Sequence, residues 1–328
     1  MNTEKYQDID LSKYNFLITG GAGFIGSNLV KYLLAHNAAK VRVLDNLSNG
    51  YKKNIEEFLG DERFEFVEGD IRDFEICNQV VKDIHYVSHQ AALGSVPRSI
   101  KDPITSNSVN INGFLNILTA VKDQPGVKRM VYAASSSTYG DSKNLPKTEG
   151  EEGSPLSPYA VTKLVNELYA DVFSRVYGLH TLGLRYFNVL GPKQSPDNPY
   201  AAVIPLFIKA AKEGRSPSIY GDGQTSRDFT YVENVIQANI KGMLLDKLPK
   251  HEVINIACGE RNSLLRIWEI LGEISGNTLN PVFLDERQGD IKVSLASIDK
   301  AFNLIGYKPT VYFEEGLKYT YEHSIKAV

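Results

Sequence analysis

The chain is poor in sulfur and carries no surplus of either charge. Its two cysteines, Cys77 and Cys258, stand far apart and belong to no C-x-x-C pair. That excludes a disulfide framework and a thiolate zinc site, and leaves both as small buried apolar residues. Lysine plus arginine number 36 against 39 acids, a formal net charge of -3, so the basic surplus that nucleic-acid binding draws on is missing. No run approaches the roughly 20 apolar residues that cross a bilayer. The first residues, MNTEKYQDIDLSKYN, have no basic-then-apolar signal pattern, so the expected location is the cytoplasm. Internal repeats and long charge runs are absent, as are the G-x-S-x-G, H-E-x-x-H and P-loop signatures of common hydrolases and NTPases. His85 and His89 are four apart, but in a strand-like run whose side chains need not converge, so no metal site is expected.

What the chain does have is size and alternation. Its 328 residues, 42% hydrophobic and 23% charged, suffice for one large domain or two intimate ones. Short apolar runs at 15–19, 41–45, 64–67, 84–89, 129–134 and 179–185 alternate with helix candidates near 24–36, 52–59, 73–82, 105–122 and 158–177. Six strands with crossovers predict an α/β fold built on a doubly wound parallel sheet of Rossmann type. After Asn188 the loop formers GPKQSPDNP intervene and the elements shorten. The expected division is a Rossmann domain over 1–187 and a smaller C-terminal substrate domain over 188–328. The apolar runs at 235–245 and 253–257 suit a return to the first sheet, so parts of 225–258 are expected there. Trp268, with the helical stripe Leu264, Ile267, Ile270 and Leu271, reads as core.

The first strand runs directly into TGGAGFIG, with Gly20, Gly23 and Gly26 at G-x-x-G-x-x-G spacing, and Gly21 also satisfying G-x-G-x-x-G. Such glycines turn the chain sharply and let the backbone approach a pyrophosphate at a helix N-terminus. Asp45 follows Gly26 by 19 residues at the end of the second strand. An acid there suits the adenosine ribose and repels a 2′-phosphate, which predicts NAD over NADP. Asp70 and Ile71, and then Gln90, Ala91 and Ala92, fall at the next C-terminal strand ends, where open parallel sheets bind ligands.

Tyr159 and Lys163 lie four apart in SPYAVTKLVNELYA, a helix expected to start near Ser157 with Pro158 in its first turn. That spacing puts both on one face, where an ammonium beside a phenol favours the phenolate and suits proton abstraction near neutral pH. Ser135 ends the preceding apolar strand, placed to hydrogen-bond the same substrate oxygen.

In TGGAGFIG, HQAALGSVPRS, AASSSTYG, SPYAVTK, LRYFNVLGPKQ, YGDGQTSRDFTYV and RQGDIKVS, the chain resembles the extended short-chain dehydrogenase/reductases. Within them it is similar to the nucleotide-sugar 4-epimerases, especially those acting on UDP-N-acetylhexosamines in bacterial surface-polysaccharide pathways. The resemblance implies that bound NAD takes a hydride from C4 of the sugar while Tyr159 takes the 4-hydroxyl proton, and that the 4-keto sugar turns and receives the hydride on its other face. Lys163 then lowers the phenol pKa and binds the nicotinamide ribose, and Ser135 bonds O4. Further implied cofactor contacts are Phe24, Ile25, Asn46, Ser48, Ala133 and Tyr186. For the substrate it implies Gly94, Ser95, Ser136, Asn188, Gln194, Ala202, Val203, Tyr220 and Asp290, with Arg227 and Arg287 on the diphosphate. Ser294 matches the position that gates pocket size, and a small residue there admits a 2-acetamido group.

The related 4,6-dehydratases carry an Asp-Glu pair where this chain has Ser136 and Ser137, and UDP-glucuronate decarboxylases a glutamate at Ser136, so both branches are disfavoured. Competing readings are a UDP-glucuronate or UDP-N-acetylglucosaminuronate 4-epimerase and, in another class, a non-catalytic NAD-binding sensor. The resemblance also implies a homodimer through the helix of Tyr159, with Val161, Leu164, Val165, Leu168 and Val172 as the shared face.

Overall fold

The computed structural model describes residues 5–195, 202–248, 250–286 and 293–326. Its centre is a parallel sheet of seven strands: β1 (Asn15–Thr19), β2 (Lys40–Asp45), β3 (Phe64–Glu68), β4 (Tyr86–His89), β5 (Arg129–Ser135), β6 (Thr181–Tyr186) and β7 (Glu252–Ile256), in the order β7-β6-β5-β4-β1-β2-β3. β4 and β6 are buried along their whole length because helices cover both faces. The order reverses between β1 and β4, and the crevice beyond their C-terminal ends is where such sheets hold ligands.

Helices α1 (Phe24–Ala35), α2 (Phe74–Val80), α3 (Val96–Lys101), α4 (Pro103–Asn107), α5 (Phe114–Lys122), α6 (Pro158–Tyr177), α7 (Val203–Lys212) and α8 (Val232–Leu244) follow in chain order. One face of the sheet is packed by α1 and α8, and the other by α2, α5 and α6, giving two apolar clusters. Beyond the sheet, α7 packs with α9 (Leu264–Ser275), whose Ile267, Trp268, Ile270 and Leu271 are buried, and with α11 (Phe313–Lys326); α10 (Asp299–Ile305) lies against β7. None of the described helices is long and apolar enough to cross a membrane.

Beyond the six runs that opened the chain, the sheet takes a seventh strand where Glu252–Ile256 joins the β6 edge, with Ile254 and Ile256 fully buried. Two expectations change. The helix expected over 52–59 is two 3-10 turns, Lys52–Asn54 and Glu56–Phe58. Asn54 turns inward there and donates to the Ala22 carbonyl, tying the segment to the glycine loop. The helix expected over 105–122 is α5 preceded by α4 and by a π turn at Ser108–Gly113. That turn aims Asn110 at the Leu93 backbone and the Thr162 hydroxyl, so it braces α6.

Candidate active site

Gly20 leaves β1 with φ of 70°, and a Cβ on it would lie 2.7 Å from the Ala91 nitrogen. A Cβ on Gly26 would lie 2.2 Å from the Gly20 carbonyl oxygen. The loop and the first turn of α1 therefore close on each other as only glycine permits. Gly23 precedes α1 without any side-chain cap, so the first N–H groups of the helix are open to an anion.

These groups form one wall of a cleft of about 390 Å³. Gly20, Gly23, Phe24, Ile25 and Gly26 come from the β1 end, Asp45, Asn46 and Ser48 from β2, Asp70 and Ile71 from β3, and Gln90, Ala91 and Ala92 from β4. Asp45 accepts the Ala22 and Leu47 N–H groups at 2.9 and 2.8 Å. Burial raises its pKa, opposed by those two bonds. Asn46 donates to Asp70 at 2.8 Å and accepts the Ser48 N–H. Arg72 holds the Asp70 carboxyl down at about 2. Gln194 lines the same cleft, and among the described residues its buried Oε1 has no partner. An uncapped helix start, a cradle closed to any Cβ, an acid at the β2 end and a buried amide oxygen without a partner among the described residues together fit a dinucleotide.

Past the β4 and β5 ends lie Ser135, Tyr159 and Lys163. Ser157 caps α6 by accepting the Ala160 N–H, Pro158 opens the helix and Gly178 closes it in the left-handed region. The Ser99 hydroxyl accepts the Tyr159 N–H at 3.0 Å, fixing the first turn. The Ser135 side chain lowers the pKa of Tyr159, but burial is the larger effect and the net shift is upward. The Lys163 ammonium is 5.9 Å from the Tyr159 ring centre and donates to the Ala133 carbonyl at 2.7 Å. Burial lowers it to about 8, against the raising field of Glu167. Burial, rather than the lysine, thus dominates the phenol in the protein alone. Beneath this site Tyr186 donates to Gln90 and accepts from Asn239 of α8, so the returning helix fixes two cleft-side groups.

A match to the NAD dependent epimerase/dehydratase family spans residues 16–257. The chain belongs to that family. It is an epimerase, and NAD is its cofactor. It is 36% identical to a putative UDP-glucose 4-epimerase of Methanocaldococcus jannaschii, over 92% of this chain and 95% of the other. A solved UDP-N-acetylglucosamine 4-epimerase from Methanobrevibacter ruminantium, in complex with UDP-N-acetylmuramic acid, superimposes with a TM-score of 0.90 at 41% identity, covering 96% of this chain and 99% of that one. A UDP-glucuronic acid 4-epimerase from Bacillus cereus, with UDP-glucuronic acid and NAD, gives 0.88 at 34% identity, over 96% and 100%.

The other residues singled out from the epimerase motifs divide by location. Gly94 and Ala202 line the same cleft, with Ala202 just before α7, which begins at Val203. Ser95 caps α3, and Ser136 opens the 3-10 turn Ser136–Tyr139. Asn188, at φ of 34°, donates to the Asp228 carbonyl. Arg227 lies on the short strand Ser226–Arg227, and the Ser294 N–H donates to the Ser226 carbonyl at 3.1 Å, which brings those two segments together. Asp228 clamps the same corner by accepting the N–H groups of Cys258, Gly259 and Ala296. Tyr220 ends the strand Ser218–Tyr220, apart from the cofactor cleft. Arg287 and Asp290 lie outside the described residues.

The sequence reading missed Lys193, Asn54 and Tyr51, which also line the cleft. Lys193 donates to the Asn54 carbonyl and pairs with Glu57 at 3.0 Å, bolting the post-β2 loop to the 191–195 loop. The Asn- and Gly-rich run NLSNGYKKN after a strand end was the available signal.

Proposed function

We propose that this epimerase interconverts the C4 epimers of a UDP-sugar, with a UDP-N-acetylhexosamine as the preferred substrate and UDP-glucose/UDP-galactose as a further pair. The observation that carries the reading is that the Lys163 ammonium bonds the Ala133 carbonyl of β5, on the strand beside β4, past whose end Gln90, Ala91 and Ala92 line the dinucleotide cleft. The names of the relatives support UDP-sugars as the class. Bound NAD supplies hydride acceptance and return at C4. Tyr159 takes the proton of the 4-hydroxyl and gives it back, and Ser135 donates to O4. Lys163 is positioned to hold the nicotinamide ribose through the face of α6 it shares with Tyr159. Gly20, Gly23 and the start of α1 hold the pyrophosphate, and Asp45 the adenosine ribose, with its negative charge setting NAD above NADP.

For the nucleotide sugar, Arg227 serves the diphosphate, as does Arg287. The acetamido preference rests on Ser294, which is small and is tied by its backbone to the segment of Arg227. A UDP-uronic acid is the second reading, favoured by the similarity to the Bacillus cereus enzyme.

Pairing of two copies belongs to the same proposal. Val161, Leu168 and Val172 of α6 are 41–58% exposed, an apolar stripe left uncovered by the described residues. The test of the catalytic reading is Tyr159→Phe: turnover of UDP-sugars is expected to disappear while NAD content and melting temperature stay as in the parent. Retained turnover defeats the assignment.

A further inference from the structure

Ser137 entered the sequence reading only as a departure from the dehydratases, yet its hydroxyl stands directly behind that of Ser135. Where β5 ends, the chain winds into the turn Ser136–Tyr139 and brings Ser137 back over Ser135. Its N–H donates to Ser135 Oγ at 3.2 Å, and its own Oγ lies 2.9 Å from the same oxygen. A serine oxygen accepts two hydrogen bonds and donates one. When both accepting positions are filled by Ser137, the Ser135 proton is directed away from the turn, and Tyr159 is the neighbouring phenol whose pKa the Ser135 side chain lowers.

We propose that Ser137 is a positioning residue that fixes the direction of a hydroxyl chain, Ser137 to Ser135 to Tyr159, so that before the sugar binds Ser135 donates to the phenol oxygen of Tyr159 the proton it later offers to O4. The proposal rests on the reading of Tyr159 as the proton acceptor. A donor aimed at the phenol oxygen favours phenolate, whereas an acceptor there favours phenol. The Ser137 N–H alone would leave one accepting position on Ser135 open. Tyr159 could then donate into it, reversing the chain and holding its own proton. The Ser137 hydroxyl closes that position.

The charged and titratable neighbours leave this role to the hydroxyls. Lys163, one turn along α6, faces the Ala133 carbonyl. Glu167, a further turn on, acts on Lys163 and is paired with Arg185 of β6. His89 of β4 is fully buried, bonds Thr19 and is held neutral, at about 3. Among the described residues no hydrogen bond or ion pair joins any of these to Ser137.

The experiment is an ultraviolet difference titration of tyrosine ionisation on the protein as purified with its NAD. The signal of the Tyr159→Phe variant is subtracted to isolate Tyr159, in the parent, Ser137→Ala and Ser137→Thr backgrounds. Ser137→Ala is expected to move the Tyr159 ionisation upward by about half a unit or more, a fraction of the worth of one hydrogen bond to a charged group. Ser137→Thr, which keeps the hydroxyl, is expected to restore it. The acid limb of kcat should move with the ionisation, lowering turnover below that limb by about threefold with KM unchanged. An unchanged or lowered ionisation in a Ser137→Ala protein of parental melting temperature overturns the proposal. The titration needs no substrate, so lack of turnover by the parent on any UDP-sugar would defeat the functional reading and still leave this result decisive for Ser137.

Discussion

Gly26→Ala probes the cofactor cradle at its tightest point. The added Cβ would stand 2.2 Å from the Gly20 carbonyl oxygen and 2.8 Å from the Gly20 carbonyl carbon and the Gly21 Cα. All three are backbone atoms, so no side chain can swing aside, and α1 must move away from the loop by about 1 Å to restore ordinary contact. The Gly20 carbonyl also accepts the Gly23 N–H at 3.1 Å, so the movement opens the turn that presents the helix start. Overpacking of this kind costs about 1–3 kcal/mol, a fall in melting temperature of about 2–6 °C at roughly 2 °C per kcal/mol for a chain of this size. The larger effect is on NAD, whose pyrophosphate depends on N–H groups held in place, with an affinity loss of tenfold or more for about 1.4 kcal/mol of misplacement. NAD content of the purified protein and cofactor titration read it out. Gly60→Ala is the control, because a Cβ there has nothing within 4 Å. A Gly26→Ala protein with parental NAD content and affinity would refute the cradle.

Two further predictions concern the buried charges under the site. Arg185→Met leaves Glu167 without its cation; the two side chains are only 4% and 8% exposed, so a loss of about 3–5 kcal/mol is expected in denaturant unfolding, and a loss under 1 kcal/mol contradicts the ion-pair account. Lys163, held at about 8 against an ordinary 10.5, is charged in folded and unfolded chains alike below pH 8, so its burial penalty is full there. Between those values the unfolded chain binds more protons and stability rises with pH. Lys163→Met is therefore expected to be inactive yet to gain stability at pH 7, with the gain shrinking by pH 10, and a gain that grows with pH reverses the sign of the argument.

Much of the cofactor side was legible because its signals are local. NFLIT matches β1 to the residue, the glycine spacing foretold the cradle, and Ser157 and Pro158 marked the start of α6. The apolar run of β7 was legible but its place at the β6 edge was not, because an edge strand arriving about 65 residues after β6 has no local partner pattern. The π turn between α4 and α5 has no signature that periodicity detects. Lys193 and Asn54 became cleft residues only when two loops 139 positions apart met. The geometry of Ser137 depends on a 3-10 turn that three consecutive serines do not announce. The pairing of Glu167 with Arg185 likewise needed the packing of α6 on β6.

The central claim, internal hydride return on an acetamido sugar, is tested by incubating the purified protein, without added cofactor, with UDP-N-acetylglucosamine in deuterated water and following proton NMR. The account predicts conversion to UDP-N-acetylgalactosamine with no solvent deuterium on carbon. Turnover of UDP-glucuronate alone, or deuterium at C4, would contradict it.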